Sequence, residues 1–155
     1  MSPPVTSFKI PRSTLVVIHT ANQEVLLIER ADRPGYWQSV TGSQEAGESL
    51  AQTATREVKE ETGIDATLSG LTLTDWQQKN VYEIYPIWRH RYAPDTTHNT
   101  EHVFGLQLPD RMNVTLHEGE HLQYVWLPVE KAASLCFSTS NRDAILELPR
   151  RMAIS

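Results

Sequence analysis

The sequence predicts one α/β domain in which a mixed β-sheet lies between helices. Three observations support this prediction. The chain has 155 residues and 39% hydrophobic content, which suits one compact core and would leave little for a second. Apolar runs typical of strands outnumber segments with helical periodicity. The helical segments also interrupt the strands along the chain, as they do in α/β proteins.

The first part of the chain predicts a hairpin that follows an arm. Two apolar runs, TLVVIH and VLLIER, are separated by the turn sequence ANQE. Pro34 and Gly35 then require a loop. The predicted elements, in order, are an arm at 1–13, strands at 14–19 and 25–30, a loop at 31–37 and a short strand at 37–42.

A helix is predicted at 50–62. Ser49 precedes it, and Gln52 stands three residues later, which is the capping-box pattern. Gly63 occupies the position where a helix commonly ends in the left-handed conformation.

The second half returns to period-two patterns and closes with helices. Good cap residues near position 140 begin the last helix, and a proline begins the one before it. The predicted elements are strands at 71–77, 81–92, 101–108 and 122–127, a loop at 110–121, and helices at 128–134 and 140–148.

Charge and composition exclude several classes of function. The net charge is −5 and no basic stripe dominates, which argues against a dedicated nucleic-acid binder. The single cysteine, Cys136, allows no disulfide within the chain and fits a reducing cytoplasm. The N-terminus lacks the apolar region of a signal peptide, and no apolar run is long enough to span a bilayer. We expect a cytoplasmic protein without membrane contact, as a monomer or a homodimer.

The predicted helix at 50–62 carries acids on its inward side. At about 100° per residue, Glu57 and Glu61 lie within about 20° of Leu50, along the apolar stripe, and Glu60 lies off to one side. Arg56 does not lie on their bearing. Two inward carboxylates without compensation would cost several kcal/mol each, so they need cations.

A divalent metal would supply that charge. Carboxylate oxygens four residues apart suit a hard ion such as Mg²⁺, with Mn²⁺ as an alternative. The preceding loop begins at Gly42, whose backbone carbonyl could approach the ion without interference from a side chain. Taken alone, the loop would be read as an ordinary strand-to-helix turn.

Residues 42–64, GSQEAGESLAQTATREVKEETGI, resemble the signature box of the Nudix hydrolase family. Every constrained position of that box is matched; the matching residues are Gly42, Glu48, Arg56, Glu57, Val58, Glu60, Glu61, Gly63 and Ile64. The resemblance implies an α/β/α sandwich and the Mg²⁺-dependent hydrolysis of a nucleoside diphosphate linked to another group.

The resemblance also implies roles for the box residues. Glu57 and Glu61 would hold metal with help from the Gly42 carbonyl, and Glu60 would be a further ligand or the base. Glu48 and Arg56 would pair and hold the loop against the helix. Nudix enzymes often take one more acid from outside the box, and alignment of EHL assigns that role to Glu120, with Glu118 as the alternative.

Segments outside the box are similar to a bacterial Nudix subfamily, the dihydroneopterin triphosphate pyrophosphatases. They are LVVIH, VLLIERADRPGYWQSVTGS, RHRYAP, NTEH and SNR. By this resemblance the substrate contacts are Lys9, Arg30, Thr41, the segment Tyr82, Glu83, Ile84 and Tyr85, and Ser138. Tyr82 and Tyr85 would lie on opposite faces of a strand, so at most one could stack on a ring; Tyr36, Trp37 and Trp88 are other candidates.

The leading hypothesis is therefore cleavage of dihydroneopterin triphosphate to the monophosphate and pyrophosphate. The same chemistry on a (deoxy)nucleoside triphosphate is the alternative, because the box reads phosphates and metal rather than the base. A non-catalytic nucleotide sensor would be favoured by lost box glutamates, and all are present.

Overall fold

A computed structural model describes residues 8–153 as a mixed sheet of seven strands with helices on both faces. The strands are β1 (Arg12–Thr20), β2 (Glu24–Arg30), β3 (Trp37–Gln38), β4 (Val40–Ser43), β5 (Thr72–Glu83), β6 (His98–Leu108) and β7 (His121–Pro128). The helices are α1 (Leu50–Thr62), α2 (Val129–Leu135), α3 (Thr139–Leu146) and α4 (Leu148–Ala153), with a 3₁₀ helix at Pro86–Arg91.

The central strand β1 gives the sheet its mixed character. It pairs in parallel with β6 over its whole length and antiparallel with both β2 and β4. β5 adds antiparallel to β6, while β3 and β7 both pair antiparallel with β2. The β1–β2 hairpin and the mixed sheet were both predicted, and both predictions are confirmed.

The two faces of the sheet carry separate apolar cores. Alternate residues of β1 point to opposite faces, so Val16 packs with Ala54 and Val58 of α1. Val17 packs on the other side with residues of α2, α3 and α4, such as Ile145. The layers are therefore helix, sheet and helices, which confirms the α/β/α sandwich.

Helix α1 begins and ends where its cap residues predict. Ser49 Oγ accepts from the Gln52 backbone N–H at 3.1 Å, and Gln52 Oε1 accepts from the Ser49 N–H at 2.8 Å. Gly63 ends the helix with φ 76°, in the left-handed region. α1 has 13 residues, and no helix within residues 8–153 is long and apolar enough to cross a bilayer.

The strand predicted at 81–92 is wrong. One continuous strand, β5, covers most of the strand predicted at 71–77 but only the first three residues of the one predicted at 81–92, with a bulge between Asp75 and Gln78. The chain then turns into the 3₁₀ helix at Pro86, because proline has no N–H to donate to a sheet and its fixed φ suits the first turn of a helix. Tyr85 therefore lies outside the strand, and the argument that it faces away from Tyr82 does not apply.

Other boundaries differ by smaller amounts. Ser39 divides the strand predicted at 37–42 into β3 and β4, and the helix predicted at 140–148 becomes α3 and α4. β1 begins at Arg12, inside the expected arm, and Lys9 forms a bridge with Tyr92. The rest of the arm, residues 1–7, lies outside the described residues.

Helix α3 is attached to the sheet through a buried amide. Asn141 Oδ1 accepts from the Ser39 N–H at 2.8 Å, and Asn141 Nδ2 donates to Ser39 Oγ at 2.9 Å. Ser138 caps the helix by accepting from the Asn141 N–H at 3.3 Å. These bonds fix the start of α3 beside β3 and β4.

Replacement of Asn141 by Ala is expected to lower the free energy of unfolding by about 1–3 kcal/mol, because it leaves the buried Ser39 groups unpaired. Chemical denaturation at neutral pH measures this. The control is Arg142→Ala, on the same helix but exposed, which we expect to stay within about 0.5 kcal/mol of the unmodified chain. Equal effects of the two substitutions would contradict the anchoring role.

Candidate active site

Arg56 joins the parts of the acidic site. Its Nε and Nη2 atoms donate to the two carboxylate oxygens of Glu48 at 2.6 and 3.0 Å, and Nη2 also donates to the Ser43 carbonyl at 3.0 Å. Nη1 donates to Glu57 Oε1 at 2.6 Å and lies 3.4 Å from Glu60 Oε2. The predicted pairing of Glu48 with Arg56 is confirmed, and it ties the loop after β4 to the middle of α1.

The expectation that Arg56 lies off the bearing of the inward acids is wrong for Glu57. The direction of its Cα is as predicted, but the long side chain reaches around the helix to the Glu57 carboxylate. Glu60 is the exposed member, with 48% of its side chain accessible against 13% for Glu57. The hydrogen bonds from Arg56 hold the pKa of Glu48 down to about 2.

Gly42 leaves the space that the Glu57 carboxylate occupies. A Cβ at this position would lie 2.0 Å from Glu57 Cδ and 2.3 Å from Glu57 Oε2, well inside contact distance. The absence of a side chain, which the sequence linked to an approaching metal, therefore also lets a carboxylate lie directly against the backbone of β4.

Glu61 is the most deeply buried acid of the site. Its side chain is 5% exposed, and its Oε1 atom has no hydrogen-bond partner among residues 8–153. Burial raises the pKa of Glu61 well above its ordinary value, and the adjacent Glu57 carboxylate raises it further. The Thr41 backbone donates to this carboxylate and opposes the shift. Glu61 thus lacks the cation that Glu57 finds in Arg56.

His121 is a neighbour of Glu61 that sequence reasoning missed. Its Nε2 lies 3.7 Å from Glu61 Oε1, and its own Nδ1 is buried without a partner. Burial lowers the pKa of His121, which disfavours the charged imidazole beside Glu61. The residue stands in the quoted segment EHL, next to Glu120, but only the pairing of β7 with β2 turns it toward α1.

The structure brings Glu120 toward the site. The Glu120 charge acts on both Glu61 and Lys9, and its backbone carbonyl accepts from the Ala31 N–H at 2.9 Å. Glu118 is exposed in the turn before it and has no comparable relation to Glu61. Within residues 8–153, no three His, Cys, Asp or Glu side chains form a complete metal-binding group.

Basic side chains border the carboxylates. Burial lowers the pKa of Lys9, and the positive charge of Arg91 lowers it further. Glu57 and Arg30 also interact electrostatically with Lys9. Arg30 donates to both oxygens of Asp32, at 2.8 and 2.7 Å, and lies 5.3 Å from the centre of the Trp88 ring. The structure therefore brings Lys9 and Arg30 together, as phosphate contacts would require.

The segment 82–85 is divided by the end of β5. Tyr82 is 42% exposed and its hydroxyl accepts from Asn99 Nδ2 at 3.0 Å. The Glu83 carboxylate pairs with Arg89 at 3.0 Å, and the Ile84 side chain is buried. Tyr85 is exposed and packs edge-on against Trp88 with ring centres 5.4 Å apart.

Ser138 lies at the start of α3, where its hydroxyl is 3.0 Å from Ser140 Oγ. Of the other aromatic candidates, Tyr36 packs on Phe137, while Trp37 lies against the core beneath α2 and α3. Trp88 is the one nearest the basic side chains, with Arg30, Arg33 and Arg91 all within 6.0 Å of its ring.

Replacement of Glu48 by Gln is expected to lower stability at pH 7 by about 1–3 kcal/mol, because it removes a charge-assisted bidentate pair. The pKa of Glu48 is about 2 against an ordinary 4.5, so the pair stabilises the fold above pH 4.5 and is lost as pH falls toward 2. Urea unfolding of both proteins at several pH values should show the difference shrinking through that window. Glu45→Gln, on an exposed acid 3.6 Å from Arg56, is the control with little effect expected; a gap that does not change with pH would contradict the assignment.

Comparison with known proteins agrees with the box and the fold. The model of the NUDIX domain family matches residues 9–148. Dihydroneopterin triphosphate diphosphatase of Escherichia coli K12 is 49% identical over 139 residues, covering 89% of this chain and 91% of that protein. The enzyme of the same name from Haemophilus influenzae is 37% identical, covering 89% of this chain and 87% of that protein.

A solved structure gives the same result for the fold. The E. coli dihydroneopterin triphosphate pyrophosphohydrolase superposes with a TM-score of 0.82 at 49% identity, covering 89% of this chain and 94% of that one. The box, the sandwich and these matches together identify the chain as a member of the Nudix family.

Proposed function

We propose that the chain is a Nudix pyrophosphohydrolase, acting as a single domain, that cleaves dihydroneopterin triphosphate to dihydroneopterin monophosphate and pyrophosphate. The observation that carries the proposal is the buried carboxylate of Glu61 beside Glu57, whose Oε1 atom has no partner among residues 8–153, within a box in which every position is matched. The names of the relatives at 49% and 37% identity support the choice of substrate.

The carboxylates fit a divalent metal ion. Glu61 Oε1 is buried without a donor, and anionic oxygens in that state call for a cation. Glu57 and Glu61 would hold Mg²⁺, or Mn²⁺ in its place, with the Gly42 carbonyl, Glu60 and Glu120 as further candidates. When bound, such an ion neutralises phosphate oxygens and lowers the pKa of an attacking water.

The residues of the chain then have separate tasks. Arg56 holds Glu57 in place from one side and so orients it toward Glu61. Lys9 and Arg30 supply positive charge to the phosphates beyond the carboxylates. A glutamate of the box accepts a proton from the water, and Glu60 is a candidate because its side chain is exposed and, among residues 8–153, only Arg56 lies close to it, at 3.4 Å. No covalent intermediate is needed.

Replacement of Glu57 or Glu61 by Gln is expected to reduce kcat by at least about 100-fold, because each variant loses a charge that a metal-dependent step requires. Steady-state release of pyrophosphate with Mg²⁺ measures it. Glu118→Gln, which changes an exposed acid in the turn before β7, should stay close to the unmodified rate. Circular dichroism checks that each variant is folded. Near-normal turnover in Glu61→Gln would contradict the proposal.

Replacement of Lys9 or Arg30 by Ala is expected to raise KM by about 10-fold while lowering kcat less, because these cations bind phosphate in ground and transition state alike. Full kinetic curves on the triphosphate separate the two constants. Arg111→Ala removes an exposed arginine that pairs with Glu24 and serves as the control. A fall in kcat at unchanged KM would move both residues from binding to transition-state stabilisation.

The substrate itself is tested by a panel of pterin and nucleoside triphosphates at fixed Mg²⁺. The expected result is the highest kcat/KM on dihydroneopterin triphosphate, with pyrophosphate rather than orthophosphate as the product. A higher value on a nucleoside triphosphate would replace the pterin with that nucleotide as the substrate.

A further inference from the structure

Two polar residues of β6 lie at the end of the sheet and have no part in the acidic site. Asn99 and Glu101 come from the segment NTEH and are two residues apart, so their side chains lie on the same face of the strand. That face is the one covered by α3, because Val103, the next residue in the alternation, packs in the core beneath α3. Both residues are buried, Asn99 at 1% and Glu101 at 5% exposure.

Glu101 has one satisfied oxygen. Ser140 Oγ and Asn80 Nδ2 donate to its Oε1 atom at 3.0 and 3.5 Å. Its Oε2 atom receives no hydrogen bond from the described residues 8–153 and, unlike Asn99 Oδ1, it is not fully enclosed. Burial raises the pKa of Glu101, and the hydrogen bonds from Ser140 and Asn80 oppose that shift.

Asn99 shows the same imbalance. Its Nδ2 donates to Ser13 Oγ at 2.8 Å and to Tyr82 Oη at 3.0 Å, so both amide hydrogens are used. Its Oδ1 atom is buried and has no partner in the part of the chain that the structure describes. Buried acceptors are nearly always paired, and an orphan of this kind points to a missing donor.

This pair adjoins the candidate active site. Tyr82 contacts Asn99 and also lies close enough to Arg30 for their charges to interact. Ser140, which donates to Glu101, is 3.0 Å from Ser138. Tyr82 and Ser138, both expected to contact substrate, therefore each connect to one member of the pair.

Two unused acceptors on one face call for two neighbouring donors on a ligand. A 2-amino-4-oxopyrimidine ring carries a ring N–H beside an exocyclic amino group, and both pterin and guanine contain it. Adenine and cytosine present an acceptor beside their amino group instead. We infer that Asn99 and Glu101 select the ring of the substrate, with Glu101 Oε2 and Asn99 Oδ1 accepting from the amino group and ring N–H of a 2-amino-4-oxopyrimidine.

This inference rests on the proposed function for the triphosphate and adds which groups read the ring. A purely structural role, in which Glu101 attaches α3 to the sheet, accounts for the bond from Ser140. That structural role does not explain why Glu101 Oε2 and Asn99 Oδ1 accept no hydrogen bond from residues 8–153.

The test is Glu101→Gln, which keeps the size of the side chain and an oxygen for Ser140 but replaces the free acceptor with a donor. KM for dihydroneopterin triphosphate and for GTP is expected to rise about 100-fold, because a buried mismatch of donors is strongly rejected. KM for ATP should change by less than about threefold. An equal loss on all three substrates would overturn the inference.

Ser140→Ala is the matched structural control. It removes the attachment of Glu101 to α3 and leaves Oε2 in place. We expect a lower melting temperature with the preference for pterin and guanine over adenine retained. If Ser140→Ala abolishes that preference as fully as Glu101→Gln does, Glu101 acts by positioning α3 and the inference fails.

Binding of the ring without phosphates separates this inference from the proposed function. Fluorescence titration with neopterin, and calorimetric titration with guanosine, need neither metal nor turnover. The unmodified protein should bind at least one of them about 10-fold more tightly than Glu101→Gln does, and the tighter of the two identifies the source of the ring. Equal or absent binding in both proteins would overturn the inference, whereas failure to hydrolyse the pterin triphosphate alone would overturn only the proposed function.

Discussion

The guanidinium of Arg56 connects β4, the loop after it and the helix α1 through bonds to Ser43, Glu48 and Glu57. These groups come from three successive segments of the chain and meet at one planar cation that is 22% exposed. Because a guanidinium offers five donors in a fixed plane, the positions of its acceptors are fixed relative to one another. The place of Glu57 against Gly42 follows from this arrangement.

The same arrangement leaves one charge unbalanced. Arg56 already interacts with Glu48, Glu57 and Glu60, and it does not reach Glu61. Glu61 instead lies beside Glu57, and His121 Nε2 is 3.7 Å from its Oε1 atom. The charge of Glu120 also acts on it. Burial beside a second carboxylate raises the pKa of such an acid, and a bound cation would lower it. Arg56 thus balances the charges of Glu48, Glu57 and Glu60, whereas Glu61 Oε1 has no partner among residues 8–153.

Local signals made much of this predictable. Ser49, Gln52 and Gly63 determine the ends of α1 because capping is a matter of a few neighbouring residues. The inward direction of Glu57 and Glu61 followed from helical geometry alone. The predicted direction of Arg56 did not reveal its contact with Glu57, because the position of a Cα says little about where a long side chain places its charge.

The remaining differences depend on contacts between distant segments. The aromatic run after Val81 has strand-like composition, but Pro86 has no N–H to donate to a sheet and begins the 3₁₀ helix instead. His121, Asn99 and Glu101 acquire their neighbours only through pairing of strands with β2 and β5 and through packing of α3. No spacing rule within a single sequence reports such pairings.

The parallel pairing of β1 with β6 separates the two halves of the site. The acids of α1 lie over one surface of these strands, and Asn99 and Glu101 lie on the opposite surface. A molecule held at both points would have to extend around the strand ends; Tyr82, which contacts Asn99, interacts electrostatically with Arg30. Such an arrangement would select a ligand by its length as well as by its chemical groups. A compound with too short a chain between ring and terminal phosphate could contact one surface or the other, but not both.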